Sequence, residues 1–248
     1  MKLAIARDLC RKAVVAGGRA VDRYIDTIAA CAVHRDGQAL HSLRETVTFA
    51  MIEKIRSSFG GSWDEENRLL HCDDGVHAFS VNPILDPFNC VLEMQAPGTF
   101  CGMYEKSSSG SNSLVVAAAY VNSTVGVIHA GINEHGLRWN NRPPKQINAP
   151  VPVSNELKRC AIGCDVGMGL AGASLSSFWL KGQIRPIITS PLLALLALFE
   201  ERVNECHLHC SPETLEGMAF FAERLTGNLA SGASGHLTVM DLSSERVV

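Results

Sequence analysis

Apolar positions recur every three to four residues from Ala4 to Ala30. Leu9, Ala13, Val14, Ala20, Val21 and Ile25 share one side and basic residues the other, so an amphipathic helix is expected here. Gly17 and Gly18 interrupt that rhythm and mark either a kink or a close approach to a neighbouring element. A second amphipathic helix is expected over Ser42–Phe59, where Gly60 and Gly61 stop it. Val76–Asp86 is strand-like and ends in Asp-Pro, a turn signal.

Ser107–Ser113 is a polar loop, followed by apolar strands over Leu114–Val121 and Val125–Ala130 and by a tight turn at Asn140–Pro144. Asn148–Asn155, rich in Pro and Asn, reads as a linker between an N-terminal half (1–150) and a C-terminal half (151–248). The second half is expected to run strand Cys160–Val166, helix Leu192–Glu201, strand Val203–His209, helix Thr214–Leu225 and strand Leu237–Leu242. Mixed helices and strands without a repeat predict a layered α/β or α+β fold.

Composition changes this picture little. The chain has 248 residues, 46% of them hydrophobic and 19% charged, enough to bury a substantial core. A formal net charge of −3 gives no global reason to expect nucleic acid. No apolar run approaches the roughly 20 residues of a membrane span; Pro191–Phe199 is short and reads as a core segment. Between Met1 and Arg19, Lys2, Arg7, Arg11, Lys12 and Arg19 face a single acid, Asp8. Such a helix reads as the first element of the fold or as a mitochondrial presequence. The nine cysteines show no disulfide framework, so a reducing compartment is expected, the cytosol or the mitochondrial matrix.

Four stretches, in order, carry a resemblance. They are Asp64-Glu65-Glu66, Ile84–Val91 (ILDPFNCV), Ala130–Arg142 (AGINEHGLRWNNR) and Cys210–Gly227. Together they resemble the inositol monophosphatase family of magnesium-dependent phosphomonoesterases, across nearly the whole chain. The resemblance implies a layered α-β-α-β-α sandwich, a site built on two or three magnesium ions, and self-association as a homodimer. Hard cations need oxygen ligands, and carboxylates supply the charge that balances them.

By that resemblance Glu65 and Asp86 are the matching metal ligands, and Glu213 is a third in one register, Thr214 in the other. Asn89 stands where the family has its second aspartate, and Cys90 and Val91 replace its Gly-Thr. Arg44 falls near the early-helix acid that assists the activated water, with Glu45 beside it. Thr189 and Ser190, within Ile188–Pro191, occupy the place of the phosphate and substrate turn. Losing one electrostatic stabiliser of a transition state costs about a hundred- to a thousand-fold in rate. Arg44, Asn89, Cys90 and Val91 are all such losses. The expectation is therefore a non-catalytic binding or structural subunit with no cofactor. The alternative is a magnesium-dependent phosphatase for small phosphomonoesters such as inositol phosphates.

Two other patterns invite chemistry. Cys206–Cys210 (CHLHC) has zinc-ligand residue types, but in a strand Cys206, Leu208 and Cys210 face one way and His207 and His209 the other. Gly163–Gly172 is glycine-rich without the order of a dinucleotide loop and reads as a tight backbone passage.

Overall fold

The structure is a computed structural model that describes residues 3–34, 36–85, 98–107, 110–132, 137–142, 158–164, 184–199, 203, 205–210, 212–229 and 236–241. The chain divides into two compact units, Met1–Arg142 and Pro143–Val248. The division falls earlier than the expected boundary at residue 150, and the linker-like stretch 148–155 lies outside the described residues.

The first unit begins with helix α1 (Leu3–Arg23) and helix α2 (Ile25–His34). The predicted single helix therefore breaks at Tyr24, not at the glycine pair. Gly17 and Gly18 are close-approach sites inside an unbroken helix. A Cβ at Gly18 would lie 2.0 Å from Tyr120 Cδ1, and one at Gly17 would lie 2.6 Å from Met51 Cγ. Helix α3 (Gly37–Phe59) starts five residues before the expected Ser42, because Asp36 caps it by accepting the Ala39 N–H at 3.0 Å. It ends where expected, on Gly60 at φ 62°.

Seven antiparallel strands follow and pair strictly with their sequence neighbours: β1 (Ser62–Asp64), β2 (Leu69–His71), β3 (His77–Asn82), β4 (Thr99–Lys106), β5 (Asn112–Tyr120), β6 (Val127–Gly131) and β7 (Arg138–Trp139). The predicted strand Val76–Asp86 is thus shorter, ending at Asn82. Phe79, Val81, Cys101, Met103, Val116, Ala118, Tyr120 and Val127 alternate along their strands and are cross-strand neighbours on one face. They form one core with Ala6, Leu9, Cys10, Ala13 and Val14 of α1 and with Val47, Met51 and Ile55 of α3. At about 25 cal/mol per Å² of buried apolar area, this shared layer is the main stabiliser of the unit. The Thr99 hydroxyl, fully buried, donates to the Val14 carbonyl at 2.9 Å and ties α1 to the sheet. Burial and the adjacent Cys101 thiol hold the Cys10 thiol well above its ordinary pKa.

The second unit holds a parallel sheet in the order β11-β10-β8-β9, made of β8 (Lys158–Cys164), β9 (Ile184–Thr189), β10 (Glu205–Cys210) and β11 (His236–Asp241). Its described helices are α4 (Pro191–Phe199) and α5 (Pro212–Leu229). As expected, Pro191–Phe199 is a core element, with Leu192, Leu195, Leu196 and Phe199 buried. The glycine-rich stretch 165–172 lies outside the described residues. No described helix is long and apolar enough to cross a membrane.

Candidate functional site

Helix α3 presents His41, Arg44, Glu45 and Arg56 to a cavity of about 280 Å³, closed from the other side by Glu65 and Arg68. Their spacing on α3 follows from its period: residues three, four and fifteen positions after His41 share its face. The opposite wall exists because β1 and β2 form a hairpin whose turn carries residues 65–68. Asp64 builds that turn, its carboxylate accepting the Asn67 side-chain N–H at 2.8 Å and the Asn67 backbone N–H at 3.1 Å. Those two hydrogen bonds lower the Asp64 pKa, the Asn67 side chain most. Of the Asp64-Glu65-Glu66 acids, Asp64 is therefore a turn-former, while Glu65 lines the cavity.

The cavity brings together two residues nominated from sequence, Glu65 and Arg44, which stand 21 positions apart. Glu45 lines it as well, although a neighbouring helical residue is rotated by about 100° from Arg44. Arg44 Nε is buried there without a hydrogen-bond partner. Arg44, Arg56 and Arg68 against Glu45 and Glu65 make a mixed-charge pocket with a surplus of guanidinium donors. Guanidinium forks match phosphate oxygens geometrically. Two carboxylates suit a single magnesium ion, which takes one or two protein carboxylates and fills its shell with water and substrate oxygens. They fall short of a cage for two or three ions. Among the described residues no three His, Cys, Asp or Glu side chains form a metal-holding group.

Asp86, Asn89, Cys90 and Val91 lie outside the described residues. Glu213 and Thr214 both fall in the first turn of α5. Thr189 is the last residue of β9, and Ser190 caps α4: its hydroxyl accepts the Leu193 N–H at 3.4 Å and its carbonyl the Ala194 N–H at 2.9 Å. The expected turn at Ile188–Pro191 is thus two strand residues, a cap and the first helical residue. Cys206–Cys210 is an extended parallel strand with Cys206, Leu208 and Cys210 buried, so its cysteines pack into the sheet layer.

A second constellation was not legible in the sequence. His129 on β6 is 1% exposed, and its Nδ1 has no hydrogen-bond partner. Its Nε2 lies 3.3 Å from Asn141 Oδ1. Burial, followed by the positive charges of Arg11 and Arg7, holds this imidazole down at about 4. One histidine in an apolar strand carries no such signal, because the arginines reach it only through tertiary packing.

No protein-family model matches this chain, and no curated protein matches it by sequence. Solved structures do match. The extragenic suppressor protein SuhB from Bartonella henselae aligns with TM-score 0.60 at 13% identity, over 89% of this chain and 84% of that one. Inositol monophosphatase from Anabaena aligns with TM-score 0.59 at 16% identity, over 90% and 81%. Inositol monophosphatase-II from Staphylococcus aureus aligns with TM-score 0.55 at 11% identity, over 90% and 81%. The chain has the α+β fold of these proteins.

Proposed function

We propose that this chain, having the inositol monophosphatase fold, recognises small phosphomonoesters in the cavity between α3 and the β1–β2 hairpin and hydrolyses them with magnesium. The observation that carries this reading is the pairing of Glu45 and Glu65 with three arginines around one small cavity. The solved structures that match over most of the chain, two of them inositol monophosphatases, support hydrolysis over the non-catalytic expectation. Arg44, Arg56 and Arg68 would hold phosphate oxygens, and Glu65 and Glu45 would hold the cation. Bound magnesium would supply charge neutralisation and an acidified water.

A second reading, a non-catalytic binding subunit, is favoured by one specific observation. Arg44 stands at the cavity where the resemblance places an acid beside the attacking water. A fixed guanidinium cannot accept a proton there.

Phosphate release from inositol monophosphate, with magnesium titrated from zero, separates the two. Hydrolysis predicts magnesium-dependent release that Glu65→Gln lowers about a hundred-fold. Folded wild-type protein that releases no phosphate at any magnesium concentration, yet still binds the ester, leaves the subunit reading standing and removes the enzyme.

A further inference from the structure

Half of the wall of the cavity at Glu65 is apolar, and neither phosphate nor magnesium has a use for it. Phe49, Ile52 and Arg56 follow Glu45 by four, seven and eleven positions along one stripe of α3, so two apolar residues stand between a carboxylate and a guanidinium. On the hairpin, Trp63 stands two residues before Glu65, and alternation along β1 turns both toward the cavity. Pro83, the residue after β3, adds to this wall. The charged side chains and the apolar ones therefore reach the cavity from the same helix and the same hairpin.

The two aromatic residues differ in burial. Trp63 is partly buried and packed against the core, which holds its indole in place. Phe49 is 62% exposed, and Ile52, one turn further along α3, is 4% exposed. An aromatic ring entering this cavity would leave water and gain offset or edge contacts with their faces. A polyol ring gains much less, because each hydroxyl that these side chains strip of water without replacing its hydrogen bond is a cost. At about 280 Å³ the cavity lies just below the usual range for ligand sites, about 300–1,000 Å³, which suits a monocyclic ester.

Given that the cavity is a phosphomonoester site, the reading on which this rests, we propose that the organic group of its preferred ester is a single aromatic ring. The ring lies against Trp63 and Phe49, with the phosphate toward Arg44, Arg56 and Arg68. The guanidiniums select for phosphate, and the aromatic pair selects which ester carries it. Trp63 and Phe49 are thus specificity residues, since neither side chain accepts a proton or ligates magnesium.

The test is a calorimetric titration of the full chain, in magnesium-free buffer, with benzyl phosphate and with inositol monophosphate. Both are esters of aliphatic alcohols, so the ring is varied while the leaving group stays of one kind. Trp63→Leu, Phe49→Ala and Arg44→Gln are compared with wild type. Benzyl phosphate is expected to bind wild type about tenfold tighter, a preference that falls toward parity in Trp63→Leu and in Phe49→Ala. Arg44→Gln is expected to weaken both esters. Should Trp63→Leu fail to fold, Phe49→Ala decides, because that side chain lies mostly in solvent. Wild-type protein that binds inositol monophosphate as tightly as benzyl phosphate, or binds neither, overturns the proposal. So does a benzyl preference that survives both aromatic substitutions, or benzyl phosphate binding that Arg44→Gln leaves unchanged. Phosphate release with magnesium is scored separately. Release from inositol monophosphate without a benzyl preference keeps hydrolysis and removes the aromatic selection; a benzyl preference without release does the reverse.

Discussion

Gly18→Leu is expected to cost the N-terminal unit more than about 3 kcal/mol, the upper end of ordinary overpacking. The Cβ alone would stand 2.0 Å from Tyr120 Cδ1 and 2.4 Å from Cε1, inside any van der Waals contact. The ring cannot swing aside at low cost, because its hydroxyl donates to Asp22 at 2.8 Å and the side chain is 6% exposed. Gly18→Ala is the graded form of the same experiment. Alanine favours a helix interior by about 1 kcal/mol over glycine, yet the clash costs about 1–3 kcal/mol, so the clash wins. Gly37→Ala, at the open start of α3 with nothing within 4 Å, is the control and is expected to be neutral or slightly stabilising. Urea unfolding measures all three. Gly18→Ala at or above wild-type stability would show that α1 does not lie this close to β5.

The second large effect is on pH. His129 titrates at about 4 in the folded chain and near its ordinary 6.5 when unfolded. The unfolded state therefore binds the extra proton between those values, and stability falls as pH drops from about 6.5 to 4. Among the described residues the groups facing the ring are Arg7 and Arg11 from α1, Arg138 from β7 and Asn141 from the following turn. The loss should reach about 2 kcal/mol by pH 4. Below pH 4 a different group takes over. Asp74, held at about 2 by its hydrogen bonds from His77 and Val76 despite some burial, loses its contribution as it protonates. In His129→Gln the decline between pH 6.5 and 4 should flatten. A slope unchanged in that variant would assign the pH dependence elsewhere.

Much of this fold could be read along the chain. The stops at Gly60 and Gly61, the polar face of α3, the β3 and β5 strands and the apolar run of α4 all follow from local rules. Elements defined by their partners did not show. β1, β2 and β7 are two or three residues long, too short for alternation to register, and β9 contains Pro186 on the edge of its sheet. The break at Tyr24 has neither Gly nor Pro to announce it. Of the residues nominated by resemblance, Glu65 and Arg44 line one cavity. The cluster at His129 stayed hidden because strand register and helix docking, not spacing, assemble it.

The plain ladder from β1 to β7 has a consequence for biogenesis. Each strand of the N-terminal sheet completes itself against the one made just before it, so loop-closure entropy stays small at every step. The parallel sheet cannot do this: β10 must wait between β8 and β11, which arrive about forty residues before it and twenty-five after. On the ribosome the first 142 residues can thus acquire their hairpins while the remainder is still being made.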